Sequence, residues 1–519
     1  MRFSNLSEDA ITIAVIGGGS TGISFLSQFI REIQNYQSKR KFSLILFEPD
    51  STLGTGLAYG TKSHSLLLNS PANCFSIYPE NPKHFFEWLT KNESFWKRYF
   101  PEIEEINEDS FVPRKLAGLY LKSAAEEAKM LAAQCKIAYQ IIQDEVINIA
   151  ALTKKNKTRI QVKSSNIEYN ADYVVLCTGN CPPESYLHLR KYHNYFHEIH
   201  LNEDKIVRSL PFLSSVLVVG TRLSGIDAVV LLKEQKYKGS ITMASREGRL
   251  PAVKNEFKTY DLKYLTEEKI QEQYQKHCSL EVSDLIEFIE KEASAIYNCK
   301  ISIDDIERYS YDDNLSTLKL DLKTIKQGKA LWQKIPASFI EIIETYWSNF
   351  SIEEKKKYIK KYLHIMQRYT SAFPITNAEK LITLMENHNL IIKDKLINIE
   401  YDEVTKKFIA FFGTTNGGKE QKIFDAVLNA TGNGKNLVHP GSLLYTNLLK
   451  SGKVNFNFFG GLEVSTKNFR VSTSDGSRIY AAGPPTFGSY FFTNFFYTSA
   501  KQSRAIIDDI LMSSAPHYI

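Results

Sequence analysis

The chain has 519 residues, which is too long for one ordinary hydrophobic core, so two or three domains are expected. Its hydrophobic fraction of 43% and charged fraction of 24% are those of a globular protein, and a formal net charge of +6 is modest for this length. No basic stripe with interleaved aromatic residues indicates nucleic-acid binding, and no apolar run reaches the roughly 18 residues of a membrane span. The first predicted strand begins at residue 11, which leaves no room for a signal peptide. We therefore expect a cytoplasmic protein that does not bind nucleic acid and does not span a membrane.

The first informative stretch is a predicted strand-turn-helix-strand unit. Residues 11–16 are a short apolar, β-branched run, typical of a buried parallel strand. The sequence GGGSTG follows at once over residues 17–22 and leads into an apolar-periodic stretch that predicts a helix. Residues 41–47 predict a second buried strand, which ends at Glu48. This order of strand, G-x-G-x-x-G, helix, strand and acid is typical of a dinucleotide-binding unit.

Each glycine of this motif has a physical role. Gly17 allows the tight turn, Gly19 allows a pyrophosphate to approach the backbone, and Gly22 allows the helix to pack closely on the strand. The helix N-terminus offers free N–H groups and the positive end of its dipole to the phosphates. Glu48 can accept hydrogen bonds from ribose hydroxyls. The alternative is a glycine-rich turn in another kind of α/β protein.

A later buried strand and a second unit of the same kind follow. Residues 171–179 predict a buried strand that ends in Thr178-Gly179. The second unit has a strand over residues 215–219, the sequence GTRLSG over residues 220–225, a helix, and a strand that ends in Ser245-Arg246. A Ser-Arg pair at this position suits a ribose 2′-phosphate, because Arg makes charge-assisted bidentate contacts. This pair favours NADPH over NADH.

Arg222 takes the place of the middle glycine in this second motif. Its Cβ lies where the backbone and the pyrophosphate should meet, although its side chain could donate to the phosphate. The alternative is a degenerate unit that no longer binds a nucleotide.

The remaining chain is first helical and then returns to strands. Residues 255–390 are rich in Lys and Glu with a helical period, which predicts a helical insertion that partly covers the active-site cleft. Residues 397–412 predict a meander pair of strands. Residues 424–432 repeat the pattern of Asp, apolar run and Thr-Gly. The chain is therefore expected to hold two nucleotide-binding halves, each closed by its own Thr-Gly.

The six cysteines form no C-x-x-C pair and no zinc-binding spacing, so we expect reduced thiols and no metal site. Cys177 and Cys181 are close in sequence. A dithiol redox function is the alternative to two ordinary small residues at these positions.

Several ordered motifs resemble those of a bacterial FAD/NAD(P)-binding family. They are G-x-G-x-x-G at residues 17–22, G-x-A-Y at 56–59, L-L-N-x-P-A at 67–72, F-x-P-R-x-x-x-G-x-Y at 111–120, S-R-x-G-x-x-P at 245–251 and G-P-P-T-x-G at 483–488. The resemblance covers nearly the whole chain except the helical insertion. The chain departs from the family at Leu66, where a His is frequent, and at Arg222.

The resemblance implies an α/β fold with two Rossmann-like dinucleotide-binding domains and a helical insertion. This fold is similar to that of flavin-containing N-hydroxylating monooxygenases and of disulfide reductases. The implied organisation is a discontinuous FAD-binding domain over residues 1–205 and 391–519, an NAD(P)-binding Rossmann unit over residues 206–254, and the insertion over residues 255–390.

The resemblance also implies FAD and NADPH as cofactors. The residues expected to bind FAD are Gly17, Gly19, Ser20, Thr21, Gly22, Glu48, Gly56, Ala58, Asn69, Ser76, Val146, Thr178, Gly179, Gly483 and Asn494. The residues expected to bind NADPH are Gly220, Arg222, Ser224, Gly225, Ser245 and Arg246.

The function implied by the resemblance is an FAD-dependent, NADPH-using monooxygenase. NADPH would reduce the flavin, and O₂ would supply an oxygen atom to the amine nitrogen of a small amino-acid-like substrate. Because the cofactor carries the chemistry, few catalytic side chains are required. The catalytic candidates are Tyr59, Asn69 and Arg114, and Ser76, Asn494 and Arg368 are further candidates to line the substrate pocket.

Two other functions remain open from the sequence. One is an FAD oxidase or dehydrogenase that is reduced by its own substrate and has a degenerate NAD(P) site. The other is a non-catalytic flavin-bound scaffold. The sequence leaves the substrate open, and a homo-oligomer is compatible with it.

Overall fold

The computed structural model describes residues 10–35, 40–154, 157–308 and 313–514. Within these ranges the chain forms two compact units. The first unit draws on residues 1–60, 72–181 and 434–519, and the second unit on residues 61–71 and 182–433.

The first unit is built on a five-stranded parallel sheet and a three-stranded antiparallel sheet. Its strands are β1 (Ile11–Ile16), β2 (Phe42–Phe47), β3 (Ala138–Ile142), β4 (Val146–Lys154), β5 (Lys157–Ser164), β6 (Glu168–Ala171), β7 (Tyr173–Leu176) and β18 (Ile479–Ala481). Its helices are α1 (Ser20–Asn35), α2 (Gly56–Tyr59), α3 (His84–Lys91), α4 (Glu93–Trp96), α5 (Arg114–Gln134), α16 (Leu443–Ser451) and α17 (Phe496–Ser514). The parallel sheet has the order β18-β7-β1-β2-β3, and the antiparallel sheet has the order β4-β5-β6.

The strand register of the first unit determines where the predicted motifs meet. Ile16 at the end of β1 pairs with Phe47 of β2 and with Leu176 of β7. The segments that follow these three strands therefore leave the sheet at the same edge. Nearly every residue of β1, β2 and β7 is buried, as the apolar, β-branched runs predict for a parallel sheet covered on both faces.

The second unit has its own parallel and antiparallel sheets. Its strands are β8 (Tyr195–Phe196), β9 (Ser215–Val219), β10 (Ser240–Ala244), β11 (Val253–Lys254), β12 (Phe373–Pro374), β13 (Leu390–Lys393), β14 (Leu396–Asp402), β15 (Lys407–Gly413), β16 (Lys419–Phe424) and β17 (Ala426–Asn429). Its helices are α6 (Ile199–Ser209), α7 (Leu223–Glu234), α8 (Glu267–His277), α9 (Val282–Tyr297), α10 (Ile303–Arg308), α11 (Asn314–Lys326), α12 (Pro336–Asn349), α13 (Ile352–Lys361), α14 (Leu363–Thr370) and α15 (Ile375–Glu386). The parallel sheet has the order β13-β10-β9-β17-β8, and β14-β15-β16 form the antiparallel sheet.

The two units repeat one topology. In the first unit, β1-α1-β2 is followed by α5, β3, the antiparallel sheet and β7. In the second unit, β9-α7-β10 is followed by α15, β13, the antiparallel sheet and β17. Val219 of β9 pairs with Ala244 and with Asn429, so these three strands also end at one edge. The predicted α/β fold with two Rossmann-like halves is confirmed.

The boundaries of the units differ from those expected. The segment 391–519, expected in the FAD-binding domain, is divided, because β13 pairs with β10 and β17 pairs with β9. Residues 391–433 therefore lie in the second unit. Residues 61–71 and 182–205 lie there as well, so the second unit is larger than the Rossmann unit expected over residues 206–254.

The helical insertion lies between β11 and β12, which pair in parallel as two neighbouring strands. Helices α8 to α14 fall within it, whereas α15 connects to β13 as the crossover helix of the second Rossmann unit. Leu318 and Leu322 of α11 share one hydrophobic core with Val216 of β9 and Leu381 of α15. The insertion thus contributes to the core of the second unit.

Candidate functional site

Two glycines determine how β1 leads into α1. Gly17 has a φ of +102°, and a Cβ there would clash with the carbonyl oxygen of Cys177 at the end of β7. A Cβ at Gly22 would clash with the carbonyl oxygen of Gly17. The turn therefore packs backbone against backbone, both on β7 and on the first turn of α1.

The middle glycine, Gly19, has more space around it. The nearest heavy atom to a Cβ at Gly19 would be the Cα of Gly56, at 3.6 Å. Helix α1 begins at Ser20, so the N–H groups of its first turn, including that of Thr21, have no acceptor within the helix. The positive end of the helix dipole lies at the same place. This geometry suits a bound phosphate, as the motif predicts.

Two backbone amides hold Glu48 at the end of β2. Its Oε2 accepts a hydrogen bond from the N–H of Gly18 at 2.7 Å, and its Oε1 accepts one from the N–H of Asp50 at 3.0 Å. Each carboxylate oxygen has a further lone pair. The side chain is thus fixed in position and can still accept hydrogen bonds from ribose hydroxyls.

Thr178 and Gly179 follow β7 at the same edge of the sheet. The hydroxyl of Thr178 lies 2.6 Å from the hydroxyl of the buried Tyr445 on α16. Gly179 has a φ of +75°, and among the described residues no atom lies within 4 Å of where its Cβ would be. The chain here is anchored on one side by Tyr445 and open on the other.

The closing motif of residues 483–488 reaches the start of α1. A Cβ at Gly483, whose φ is +74°, would lie 3.1 Å from the Oγ1 of Thr21. The N–H of Gly483 donates to the Oε1 of the fully buried Gln502 at 2.6 Å. The structure thus brings the first and the last predicted motif of the first unit together.

The other residues expected to bind FAD in the first unit lie in four different settings. Ala58 is half-buried in α2, and Val146 is buried at the start of β4. Asn494 is exposed two residues before α17. Ser76 is fully buried, and its hydroxyl donates to the carbonyl oxygen of Tyr78 at 2.9 Å. Since Ser76 also accepts the N–H of Tyr78, its role in the structure is to form a turn.

Tyr59 and Arg114, two of the catalytic candidates, are neighbours in the first unit. The ring of Tyr59 lies 5.3 Å from that of Phe75 and 6.2 Å from that of Phe496, measured between centroids. Burial raises the pKa of Tyr59 to about 12, and the nearby Arg114 opposes this shift. Tyr59 therefore stays protonated at neutral pH and can donate a hydrogen bond. Arg114 begins α5.

Asn69, the third catalytic candidate, belongs to the second unit. Its backbone carbonyl accepts a hydrogen bond from the ammonium group of the buried Lys254 at 2.7 Å. Its side-chain Oδ1 is buried and has no hydrogen-bond partner among the described residues. A buried acceptor without a partner is costly, so this oxygen is suited to a donor from a bound molecule.

Arg368 has partners within the second unit. Its Nη1 donates to the carbonyl oxygen of Leu250 at 3.3 Å, and its Nη2 lies 3.8 Å from the Oδ2 of Asp321. Burial raises the pKa of Asp321, and Arg368 opposes that shift. These contacts link α14 and α11 to the loop after β10, so we assign Arg368 to holding the insertion in place.

The glycines of the second unit repeat the geometry of the first. Gly220 has a φ of +123°, and a Cβ there would clash with the carbonyl oxygen of Ala430. A Cβ at Gly225 would clash with the carbonyl oxygen of Gly220. Gly432 matches Gly179, with a φ of +88° and, among the described residues, no atom within 4 Å of its Cβ position.

Arg222 stands directly before α7, in extended backbone geometry with φ −100° and ψ −163°. Its side chain is half-buried, and the half-buried Ser224 follows in the first turn of the helix. Burial lowers the pKa of Arg222; Glu247 opposes this shift and Arg246 adds to it. The arginine of the second motif therefore lies within electrostatic reach of the loop that follows β10.

The hydroxyl of Ser245 is hydrogen-bonded within its own loop. Its hydroxyl accepts a hydrogen bond from the N–H of Gly248 at 2.8 Å and lies 3.0 Å from the hydroxyl of Thr221. Thr221 in turn donates to the carbonyl oxygen of Arg249 at 2.8 Å. Ser245 thus stabilises its own loop, whereas the neighbouring Arg246 is exposed.

Sequence reasoning missed four residues that hold the predicted ones: Thr221, Lys254, Tyr445 and Gln502. Thr221 lies within the sequence GTRLSG of residues 220–225, so its hydroxyl could have been identified as a hydrogen-bonding group. Lys254 and Tyr445 bond to residues that are 185 and 267 positions away, and Gln502 to one that is 19 positions away, and no local pattern marks any of them.

Cys177 and Cys181 are both buried, and neither forms a disulfide bond within the described part of the chain. Burial raises the pKa of Cys177 to about 12, which disfavours the thiolate needed for redox chemistry. Among the described residues, no group of three or more His, Cys, Asp or Glu side chains could hold a metal ion. Nor does any described helix have the length and apolar character needed to cross a membrane.

Residues 14–181 match the FAD-NAD(P)-binding family. This match confirms the resemblance given by the motifs of the first unit, and its description agrees with the two predicted cofactor classes. No curated protein sequence matches the chain.

Solved structures share the fold over nearly the whole chain. An ornithine N-hydroxylase of Kutzneria sp. 744, determined with reduced FAD, NADP⁺ and L-ornithine, is 12% identical and aligns over 98% of this chain and 100% of its own, with a TM-score of 0.59. An L-lysine 6-monooxygenase of Pseudomonas syringae is 13% identical over 97% and 99%, with a TM-score of 0.60. An FAD-bound cadaverine monooxygenase of Erwinia amylovora is 12% identical over 96% and 94%, with a TM-score of 0.56. At these identities the matches show a shared fold, and they confirm the predicted fold class.

Proposed function

We propose that the chain is an FAD-dependent, NADPH-using monooxygenase that oxidises the amine nitrogen of a small amino-acid-like substrate. The observation that carries this proposal is the repetition of one dinucleotide-binding turn in two units. Gly17 and Gly220 make the same backbone contact with a neighbouring strand, and Gly22 and Gly225 make the same contact with the preceding turn. Two such turns in one chain suit one cofactor that supplies electrons and another that accepts them.

The first unit fits FAD. Its β1–α1 turn and the first-turn N–H groups of α1 would bind the pyrophosphate, and Glu48 would bind a ribose. Gly179 leaves space beside the sheet edge, and Gly483 lies next to Thr21. Bound FAD would supply the redox chemistry, by accepting a hydride and activating O₂.

The second unit fits NADPH by the same argument. Gly220 and Gly225 form the turn, and α7 presents its N-terminus to the pyrophosphate. Arg246, exposed in the loop after β10, brings positive charge to the sheet edge, where a phosphorylated ribose would bind.

Each unit offers a bound molecule a small number of polar groups. Tyr59, whose pKa burial raises to about 12, stays protonated at neutral pH and would donate a hydrogen bond. Arg114 would attract a substrate carboxylate. In the second unit, the buried Oδ1 of Asn69 would accept an N–H from a bound molecule. These roles belong to binding and orientation, and none of them requires a side chain to act as a nucleophile.

Anaerobic stopped-flow absorbance tests the proposal. The flavin-loaded full chain is mixed with NADPH, with NADH, and with each amine alone. L-ornithine, L-lysine and cadaverine are the first amines to use, because the structurally similar enzymes are named for them. We expect fast loss of the oxidised flavin band with NADPH. After O₂ is admitted, we expect one hydroxylated amine for each NADPH consumed.

The matched control is Gly225→Ala, which should keep the bound flavin and lose fast reduction by NADPH. An unchanged reduction rate in this variant, or no reduction of the wild type by either nucleotide, would contradict the proposal.

A second candidate is an FAD oxidase or dehydrogenase that its own substrate reduces. Arg222 in the place of the middle glycine favours it, because a side chain there limits how closely a pyrophosphate can approach the backbone. The same experiment separates the two candidates. Flavin reduction by an amine without any nucleotide would favour the oxidase.

A further inference from the structure

The loop after β10 holds itself together through Ser245. The hydroxyl of Thr221 donates to the carbonyl oxygen of Arg249, so in its contact with Ser245 the serine supplies the proton. The serine oxygen also accepts the N–H of Gly248. The hydroxyl proton of Ser245 and one of its lone pairs are therefore already used within the protein.

Arg222 presents the opposite situation. Its guanidinium is half-buried, and among the described residues it has neither a hydrogen bond nor an ion pair. Charged side chains that are largely withdrawn from water are normally paired, because losing hydration is costly. A partner that comes from outside the protein would satisfy this group.

Arg222 and Arg246 are the sequence neighbours of two residues whose hydroxyls are hydrogen-bonded to each other. Arg222 follows Thr221 and Arg246 follows Ser245, and the hydroxyls of Thr221 and Ser245 are 3.0 Å apart. Arg222 is also within electrostatic reach of both Arg246 and Glu247. The N-terminus of α7 begins at the next residue and adds positive potential. Glu247 is the acid of this loop, and it is exposed.

We propose that Arg222 and Arg246 together bind the 2′-phosphate of NADPH, and that Ser245 does not. A phosphate monoester carries close to two negative charges at neutral pH, which matches two guanidinium groups. Arg222 is then not a sign of a degenerate nucleotide site. It replaces close backbone approach at the pyrophosphate with a direct contact to the group that distinguishes NADPH from NADH. This inference rests on the proposed function, because it assigns residues within the same NADPH site.

Calorimetric binding to the full chain tests the inference without any turnover. The probes are 2′,5′-ADP, which carries the 2′-phosphate, and 5′-AMP, which lacks it. The wild type should bind 2′,5′-ADP at least about tenfold more tightly than 5′-AMP. Arg222→Gly and Arg246→Ala should each weaken 2′,5′-ADP by about 10- to 100-fold, the range for a lost charge-assisted contact, and leave 5′-AMP nearly unchanged.

Three further variants serve as controls. Arg249→Ala removes one positive charge from the same loop and should change the affinity for 2′,5′-ADP by less than about threefold. Ser245→Ala should affect both probes equally, because it loosens the loop without removing a phosphate contact. Arg222→Lys keeps a charge and should recover part of the preference, which separates loss of contact from loss of folding.

Several outcomes would overturn the inference. One is an unchanged ratio of the two affinities in Arg222→Gly, and another is tighter binding of both probes, which would make Arg222 an obstruction. A wild type that binds NADPH but does not prefer 2′,5′-ADP would also overturn it. If the wild type binds neither NADPH nor 2′,5′-ADP, the proposed function fails as well, and that result is distinct from the first three.

Discussion

Gly118 of α5 lies directly against the carbonyl oxygen of Tyr59, and a Cβ at Gly118 would clash with that oxygen. The contact joins two motifs that are about sixty residues apart in the sequence, residues 56–59 and residues 111–120. Tyr120, two residues further along α5, also binds the N–H of Ile77 through its hydroxyl, at 3.2 Å. Gly118 and Tyr120 thus position two segments: residues 56–59, and the segment that contains Ser76.

Gly118→Ala should destabilise the protein by about 1–3 kcal/mol, because the added methyl group has no space and the backbone must move. Urea unfolding measures this change. Gly441→Ala is the control, since a Cβ there would have its nearest neighbours at an ordinary contact distance of 3.5 Å. Equal stability of the two variants would contradict the packing described for α5.

Gly22→Ala and Gly225→Ala should each disable a different cofactor site. In both variants the methyl group would clash with the carbonyl oxygen of the first glycine of the motif. Gly22→Ala should purify with little flavin, whereas Gly225→Ala should retain flavin and bind NADPH more weakly by about tenfold or more. Flavin absorbance per chain and NADPH titration measure the two effects. If Gly225→Ala lost its flavin and Gly22→Ala kept it, the assignment of FAD to the first unit and NADPH to the second would be wrong.

Tyr445→Phe should weaken flavin binding. It removes the hydroxyl that bonds to Thr178 and leaves a polar group without its partner beside Gly179, at a cost of about 1–3 kcal/mol. Tyr139→Phe is the matched control, because the buried hydroxyl of Tyr139 has no hydrogen-bond partner among the described residues. The control should leave the flavin affinity unchanged and the stability unchanged or slightly higher. A similar flavin affinity in both variants would show that the hydroxyl of Tyr445 does not contribute to flavin binding.

His197 should make the protein less stable in mild acid. Burial, with a smaller effect of Arg190, lowers the pKa of His197 to about 4, whereas in an unfolded chain it is about 6.5. Above pH 6.5 both states are neutral and His197 contributes nothing to the pH dependence. Between pH 6.5 and 4 the unfolded state binds a proton that the folded state does not, so the free energy of unfolding falls as the pH falls.

The His197→Gln variant tests this effect. Urea unfolding at pH 7.5 and pH 5 should show that wild-type stability falls by up to about 2 kcal/mol more than the stability of the variant. The comparison cancels the other groups that titrate in this range. An equal loss in both proteins would place the imidazole in a more hydrated setting than its burial indicates.

The βαβ turns could be predicted because their constraints are local. Gly17 and Gly220 each lie against a carbonyl oxygen that leaves no space for a Cβ, so the sequence must have glycine there. Leu66, which departs from the family pattern, is fully buried in the core of the second unit. The role of Ser245 could not be predicted, since its hydroxyl partners depend on how the loop after β10 closes. Tyr445 escaped notice because it acts on Thr178 from a distant part of the chain.

The residues at which each unit begins and ends could not be predicted, for a similar reason. Residues 391–433 follow the insertion and resemble the strands of either half. Their membership depends on pairing between β13 and β10 and between β17 and β9, which are contacts across long stretches of sequence. Periodicity predicts that a strand exists, but not which strand is its neighbour.

The pairing of β11 with β12 brings the first and the last residues of the insertion next to each other. Val253 pairs with Phe373, and Lys254 with Pro374. The register between β10 and β13 therefore does not depend on the number of residues between β11 and β12. Gain or loss of whole helices can change this part of the protein while the sheet keeps its order, provided that α11 still covers the core around Leu381. The second unit thus combines a parallel sheet whose pairing is set outside the insertion with a segment whose two ends are held side by side, so its length can change without altering the strand order.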